Sequence, residues 1–208
     1  MSQDLIVVLA SASPARKDLL FQAGVEPLII NSKLNENEVI SNLKDKSAEN
    51  IVITLATAKA NKVVAEHTLP RKGVLIAADS MWEFNKEIVG KPVDRLDAKN
   101  RILKMSGNSG ILHTGHFVLN LETLNSKTAV VSTQVLMDEI SEEEIDRYLD
   151  TAEPLQVAGS FTLNGYGSAF VKSVSGDSNN VIGLSINTVK NLCKAVGLDW
   201  TNYWKLKK

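Results

Sequence analysis

Apolar and polar positions along this chain fall into two periods, and the switches between them mark the elements. The run Leu5-Ile6-Val7-Val8-Leu9-Ala10 is short and continuous, as a strand buried on both faces requires. Helical spacing then predicts a helix over residues 14–23, stopped by Gly24. Residues 28–30 predict a second strand. Residues 47–67 predict a long helix with Ile51, Val52, Leu55, Ala56 and Val63 on one face. Residues 74–78 form a short, fully apolar strand, and residues 81–84 and 87–89 around Asn85-Lys86 read as a hairpin. A helix over 96–105 ends at Ser106-Gly107. Residues 111–121 and 128–137 predict two long strands joined by a polar turn. Ser141 followed by Glu144 is a capping box opening a helix to about residue 149. A strand over 168–174 and a closing helix over 186–196, stopped by Gly197, complete the series. Alternating elements with hairpins among them predict an α/β protein with a mixed central sheet and flanking helices.

The 208 residues suffice for a large core, as one domain or two closely packed lobes. A net charge of -1 argues against bulk electrostatic binding to nucleic acid or to an anionic membrane. The single cysteine, Cys193, sits in a helical apolar pattern and reads as core, which excludes an intramolecular disulfide. No apolar run approaches the roughly 18 residues of a membrane span, and the start lacks the basic segment and cleavage site of a signal peptide. A cytoplasmic protein is expected.

The candidate chemistry begins where the first strand ends. Ser11-Ala12-Ser13-Pro14-Ala15-Arg16 places hydroxyls before a helix with proline at its first position, where the missing N–H costs nothing. Ser13 is placed to cap that turn. A helix start with Arg16 and Lys17 beside it suits a phosphate, and an ordinary capped helix is the competing reading. No G-x-x-x-x-G-K-[ST] or G-x-G-x-x-G motif is present, so nucleotide handling would use another architecture.

Asp79 closes the apolar run 74–78 and, at a strand end, is placed to hold a metal ion or take a proton from water. An Asp that merely starts a turn is its alternative. Lys91, in the fixed turn Gly90-Lys91-Pro92, can reach toward a phosphate, and Lys59 stands among small residues on the long helix. Glu36 and Glu38, on a polar loop, can ligate a hard divalent cation. The segment 158–167 carries three glycines with Phe161 and Tyr166, which allow close backbone approach and offer rings to a base or to the core. His113 and His116 straddle Thr114-Gly115 without zinc-like spacing and read as structural.

These segments, in this order, resemble the Maf family of nucleoside triphosphate pyrophosphatases, once described as septum formation inhibitors. The resemblance runs over about residues 5–196. It is carried by Leu9-Ala10-Ser11-Ala12-Ser13-Pro14 with Arg16, Leu55-Ala56 with Lys59-Ala60, Ala78-Asp79-Ser80 and Gly90-Lys91-Pro92. Further matches are Ser106-Gly107, Thr114-Gly115, Glu153-Pro154-Leu155, Ala158-Gly159 and Gly183-Leu184. It implies a Maf/ITPase-like fold, a single domain over 1–208 with a mixed central sheet and two lobes around a cleft. It also implies cleavage of a small-molecule nucleoside triphosphate between its α and β phosphates, with Mg²⁺ or Mn²⁺ as the divalent cation, and is compatible with a homodimer. Asp79 falls on the family's catalytic aspartate, a metal-binding position as well. Ser11, Ser13, Arg16, Lys59 and Lys91 fall on its phosphate contacts, Glu36 on a metal-associated carboxylate, and Asn164 on a substrate-binding position.

Ala15 stands where many members carry a first arginine, and Asn35 replaces an acid beside Glu36. Asn164, Ser160-Phe161 and Ser106-Gly107-Asn108 depart from the pyrimidine-directed pattern, so a modified purine such as 7-methyl-GTP is expected over dTTP or UTP. The expected role is clearance of noncanonical or modified nucleotides. A nucleotide-binding regulator of cell division with little turnover is the alternative. A nucleic-acid-binding module lacks the basic stripe with interleaved aromatics that it would need.

Overall fold

Among the described residues six α-helices start at a residue whose side chain accepts a backbone N–H of the first turn: Ser13, Asn35, Ser47, Asp94, Ser141 and Ser185. The computed structural model describes residues 5–205. In chain order the elements are β1 (Ile6–Leu9), α1 (Pro14–Gln22), β2 (Pro27–Ile29), α2 (Glu36–Ser41) and α3 (Ala48–Glu66). Then come β3 (Gly73–Phe84), β4 (Glu87–Val89), α4 (Arg95–Met105), β5 (Ser109–Asn120), β6 (Ser126–Met137) and α5 (Glu142–Asp150). The chain closes with β7 (Val171–Ser175), α6 (Ser178–Ile182) and α7 (Ile186–Ala195).

The seven strands form one mixed sheet in the order β2-β1-β3-β5-β6-β7, with β4 paired to β3. β1 runs parallel to both neighbours, Val8 lying opposite Leu28 and Leu75. β4 is antiparallel to β3, and β7 is antiparallel to β6. Parallel and antiparallel pairings thus coexist, as the alternation of hairpins and helices predicts.

Three expectations need correction. The runs 74–78 and 81–84 belong to one strand of 12 residues, so Asp79 lies inside β3 and does not end it. Neither Asp79 nor Ser80 breaks an extended backbone, and the sheet carries the strand through both. Glu36 and Glu38 do not lie on a loop but open the short helix α2, because Asn35 Oδ1 accepts the Glu38 N–H at 3.3 Å. Residues 168–170 continue a 3-10 turn over Tyr166–Phe170, and β7 starts only at Val171.

The chain divides into two compact units, each assembled from separate stretches. Unit 1 gathers the chain up to Asp79, Thr114–Val131 and the chain from Gly183 onward; unit 2 is Ser80–His113 with Ser132–Ile182. In unit 1, Val8, Leu75, Ala77, Phe117 and Leu119 of the strands, with Ala10 just after β1, pack with Ala56, Ala60 and Val63 of α3. Small residues bring α3 close to the sheet: a Cβ on Gly115 would collide with the Val52 carbonyl, so only glycine fits there. In unit 2, Trp82 and Phe84 of β3 pack with Ile102 and Met105 of α4, Tyr148 and Leu149 of α5, and Phe161. Trp82 meets Phe161 edge to face, ring centroids 5.0 Å apart at 74°, a pairing worth about 0.5–1.5 kcal/mol beyond the area it buries.

Candidate functional site

The junction after β1 folds as its sequence directs. Ser13 caps α1 by accepting the Arg16 N–H at 3.4 Å, with Pro14 at the first position. Ser11 Oγ accepts twice, from the Ser13 N–H and from Arg16 Nη1, both at 3.2 Å. Arg16 is therefore turned inward, buried, and its Nε donates to the Gly183 carbonyl at 2.7 Å. Burial pulls its guanidinium below the usual arginine range, while the negative charges of Asp79 and Glu36 oppose the shift. Lys17, by contrast, is exposed.

Beside this cation lies a second one between two acids. Lys59 Nζ of α3 donates to Asp79 Oδ1 and makes an ion pair with Glu36 Oε1 at 2.8 Å. The Lys59 and Asp79 side chains are 12% and 7% exposed, whereas Glu36 is 46% exposed. Four elements thus converge in unit 1: α1 supplies Arg16, α2 Glu36, α3 Lys59 and β3 Asp79. The charges balance, as buried charges must.

The balance is incomplete at one atom. Asp79 Oδ2 is buried and has no hydrogen-bond partner among the described residues. Burial raises the Asp79 carboxyl above the ordinary aspartate value, and Lys59 and Arg16 pull it back only in part. Such an oxygen can take a proton or a cation. Among the described residues no group of three or more His, Cys, Asp or Glu side chains forms a metal cage. Two carboxylates fit a different mode, in which a hard divalent cation takes its remaining ligands from water and phosphate oxygens.

Lys91 and Asn164 belong to unit 2, and both are exposed. The turn carrying Lys91 is fixed by Arg101, which donates to the Gly90 carbonyl at 2.7 Å, and by Asp97, which accepts the Val93 N–H at 3.0 Å. Phe161, offered above as a stacking surface, is buried against Trp82 and belongs to the core; Tyr166 keeps its ring exposed. His113 and His116 are buried and hydrogen-bonded within the fold: His113 Nδ1 pairs with Ser132 Oγ at 2.8 Å, and His116 Nε2 accepts the Ser185 N–H at 2.9 Å. Cys193 is buried, which pushes its thiol up to about 12 and leaves it inert at neutral pH.

Two features were not singled out from the sequence for the work they do. One is the Gly183 carbonyl that holds Arg16. The other is Glu153, around which the glycine-rich segment wraps. Glu153 Oε1 accepts from Tyr148 Oη, Thr162 Oγ1 and the Gly167 N–H at 2.9, 2.5 and 2.9 Å, and Oε2 accepts the Tyr166 N–H at 3.0 Å. The close backbone approach that those glycines permit is to this internal anion: a Cβ on Gly165 would collide with Glu153 Oε2. Its sequence signal was its place in Glu153-Pro154-Leu155, one of the segments that carry the family resemblance.

The family's sequence model, described as Maf-like protein, matches residues 6–196. The chain belongs to the Maf-like protein family. It is 38% identical over 205 residues to a relative from Salinispora tropica, covering 98% of this chain and 89% of the relative. It is 40% identical over 205 residues to one from Mycolicibacterium vanbaalenii, covering 96% and 98%. A third, from Nostoc punctiforme, is 38% identical over 200 residues, covering 95% and 97%. Each of the three is named a nucleoside triphosphate pyrophosphatase. The Maf-like match contains the whole of the unit 1 cluster, from Ser11 to Gly183.

Proposed function

We propose that this chain is a nucleoside triphosphate pyrophosphatase, hydrolysing the α–β phosphoanhydride to a nucleoside monophosphate and pyrophosphate. The buried, one-sided carboxylate of Asp79 beside Arg16 and Lys59 carries the reading, together with relatives of that name over nearly the full chain. Asp79 acts as general base. Its Oδ2 takes a proton from water as the water oxygen bonds to the α-phosphorus, and the bond to the bridging oxygen breaks with pyrophosphate leaving. A carboxyl raised above the ordinary aspartate value is better matched to that transfer near neutral pH.

Arg16, Ser11 and the start of α1, capped by Ser13, bind phosphate oxygens. Lys59 neutralises the two acids in the free protein. Incoming phosphate oxygens compete for its ammonium, which loosens its hold on Asp79 and leaves that carboxylate the stronger base. Glu36 would hold a divalent cation, Mg²⁺ or Mn²⁺, whose chemistry is to neutralise phosphate charge and stabilise the leaving pyrophosphate; Asp79, the other metal-associated position of the family pattern, is assigned to the proton. Lys91 and Asn164 are proposed as substrate contacts on the strength of the family pattern. A net charge of -1 fits a small nucleotide better than a nucleic acid, and a cytoplasmic setting fits that substrate.

The test is a panel of nucleoside triphosphates, including 7-methyl-GTP, dTTP, UTP and GTP, assayed with Mg²⁺ or Mn²⁺ for monophosphate and pyrophosphate. Pyrophosphate is expected as the first product, with activity lost in excess EDTA. Orthophosphate as the primary product, leaving a diphosphate, overturns the bond assignment; full activity in EDTA overturns the cation. Relative kcat/KM across the panel reads the base directly.

A further inference from the structure

We infer that His116 is a positioning residue for Arg16, acting through the segment Gly183-Leu184-Ser185. The inference rests on Arg16 being a phosphate contact, as proposed above. The Arg16 guanidinium is buried in the first turn of α1, held by Ser11 Oγ on Nη1 at 3.2 Å and, more closely, by the Gly183 carbonyl on Nε at 2.7 Å. An arginine aims its fork only as well as that acceptor is placed. Gly183 has a φ of 124°, a conformation that by itself selects no single position for its carbonyl. The segment is held instead from its other end, at Ser185.

There the Ser185 N–H donates to His116 Nε2 at 2.9 Å, and Ser185 Oγ accepts the Thr188 N–H at 3.1 Å to cap α7. As the cap residue, Ser185 has its own N–H outside the helix ladder, so its acceptor must come from elsewhere in the fold. His116 supplies it from β5. His116 is fully buried, Leu184 between the two anchors is fully buried, and Ser185 is 1% exposed, so the link is rigid and dry. All of these residues belong to unit 1. The ring accepts at Nε2, which places its proton on Nδ1 and makes it a hydrogen-bond acceptor toward Ser185, not a proton donor to substrate.

A double-mutant cycle tests the link. His116→Leu removes the acceptor, and kcat/KM is expected to fall by about ten- to a hundredfold, the range for a displaced substrate-positioning group. In an Arg16→Ala background the same change is expected to cost no more than about twofold, since the group being positioned is gone. His116→Gln puts an oxygen where Nε2 stood and is expected to restore activity to within about threefold of wild type, whereas His116→Asn, whose oxygen falls near the Nδ1 position, is not. Full additivity of the two losses overturns the inference, as does equal activity of the Gln and Asn variants. The Gln–Asn comparison decides the matter if His116→Leu fails to fold. A silent Arg16→Ala is a different failure: it removes Arg16 from phosphate binding, and the inference falls with that reading.

Discussion

Asp79 in unit 1 and Glu153 in unit 2 are both acids drawn away from bulk water, and their surroundings treat them in opposite ways. Asp79 has a cation on one oxygen and nothing on the other among the described residues, so burial dominates and its carboxyl is raised. Glu153 is also raised by its burial, but donors from Thr162, Gly167, Tyr148 and Tyr166 outweigh that cost and hold it below the ordinary glutamate value. A carboxylate whose lone pairs are filled by the fold is a fastener. A carboxylate left short of donors keeps capacity for a proton or a ligand, and destabilises the fold by doing so.

The comparison breaks first at Asp79. Asp79→Asn removes the base and is expected to lower kcat by about 10²–10⁴, while melting at or above the wild-type temperature because an ill-compensated charge is gone. Steady-state kinetics and a thermal melt on one preparation check both halves. A well-folded variant with wild-type kcat takes Asp79 out of the chemistry, and a large drop in melting temperature would mean that its charge was stabilising after all.

Glu153→Gln should give the converse, a stability loss of about 3 kcal/mol, since the amide turns an N–H toward the Tyr166 N–H and weakens several charge-assisted bonds. Urea unfolding measures it. The pH dependence sharpens the contrast. Glu153 has a folded value below its unfolded one of about 4.3, so its contribution is complete above that value and lost as pH falls through the folded one. Asp79 has a folded value above its unfolded one of about 3.9, so its ionisation penalty grows as pH rises through that interval. On acidification the Glu153→Gln stability curve is therefore expected to meet wild type from below, and the Asp79→Asn curve from above. Two curves converging from the same side would erase the distinction.

Thr162→Val is the finest probe. It deletes one of the four donors to Glu153 at nearly constant volume and is expected to cost about 1.5 kcal/mol. No change in unfolding free energy would show that the remaining donors satisfy the carboxylate without it.

What was legible in the chain was what is local. The cap at Ser13, the box of Ser141 with Glu144 and the left-handed glycines Gly24 and Gly197 bound their helices as read, because a helix end is settled by residues three or four apart. The five-residue apolar face of α3 is buried throughout. Asn35 was read as a missing acid; its part in capping α2 went unread because only a short helix comes after it. Asp79 was read as a strand end because a lone charge after five apolar residues looks like a boundary, whereas pairing across the sheet carries β3 on to Phe84.

Sequence alone thus determined the local pieces: a capped helix start, an aspartate after an apolar run, two lysines and an arginine in a recognisable order. Tertiary structure decided which of them meet and in what state. Lys59 and Asp79 stand 20 residues apart in the chain, and Arg16 and Gly183 stand 167 apart. No local period encodes such pairings, because they arise from how α1, α3 and the sheet pack. The same packing fills the lone pairs of Glu153 and leaves Asp79 Oδ2 without a donor among the described residues, and so separates an acid whose bonds are satisfied from one with room for a proton or a ligand.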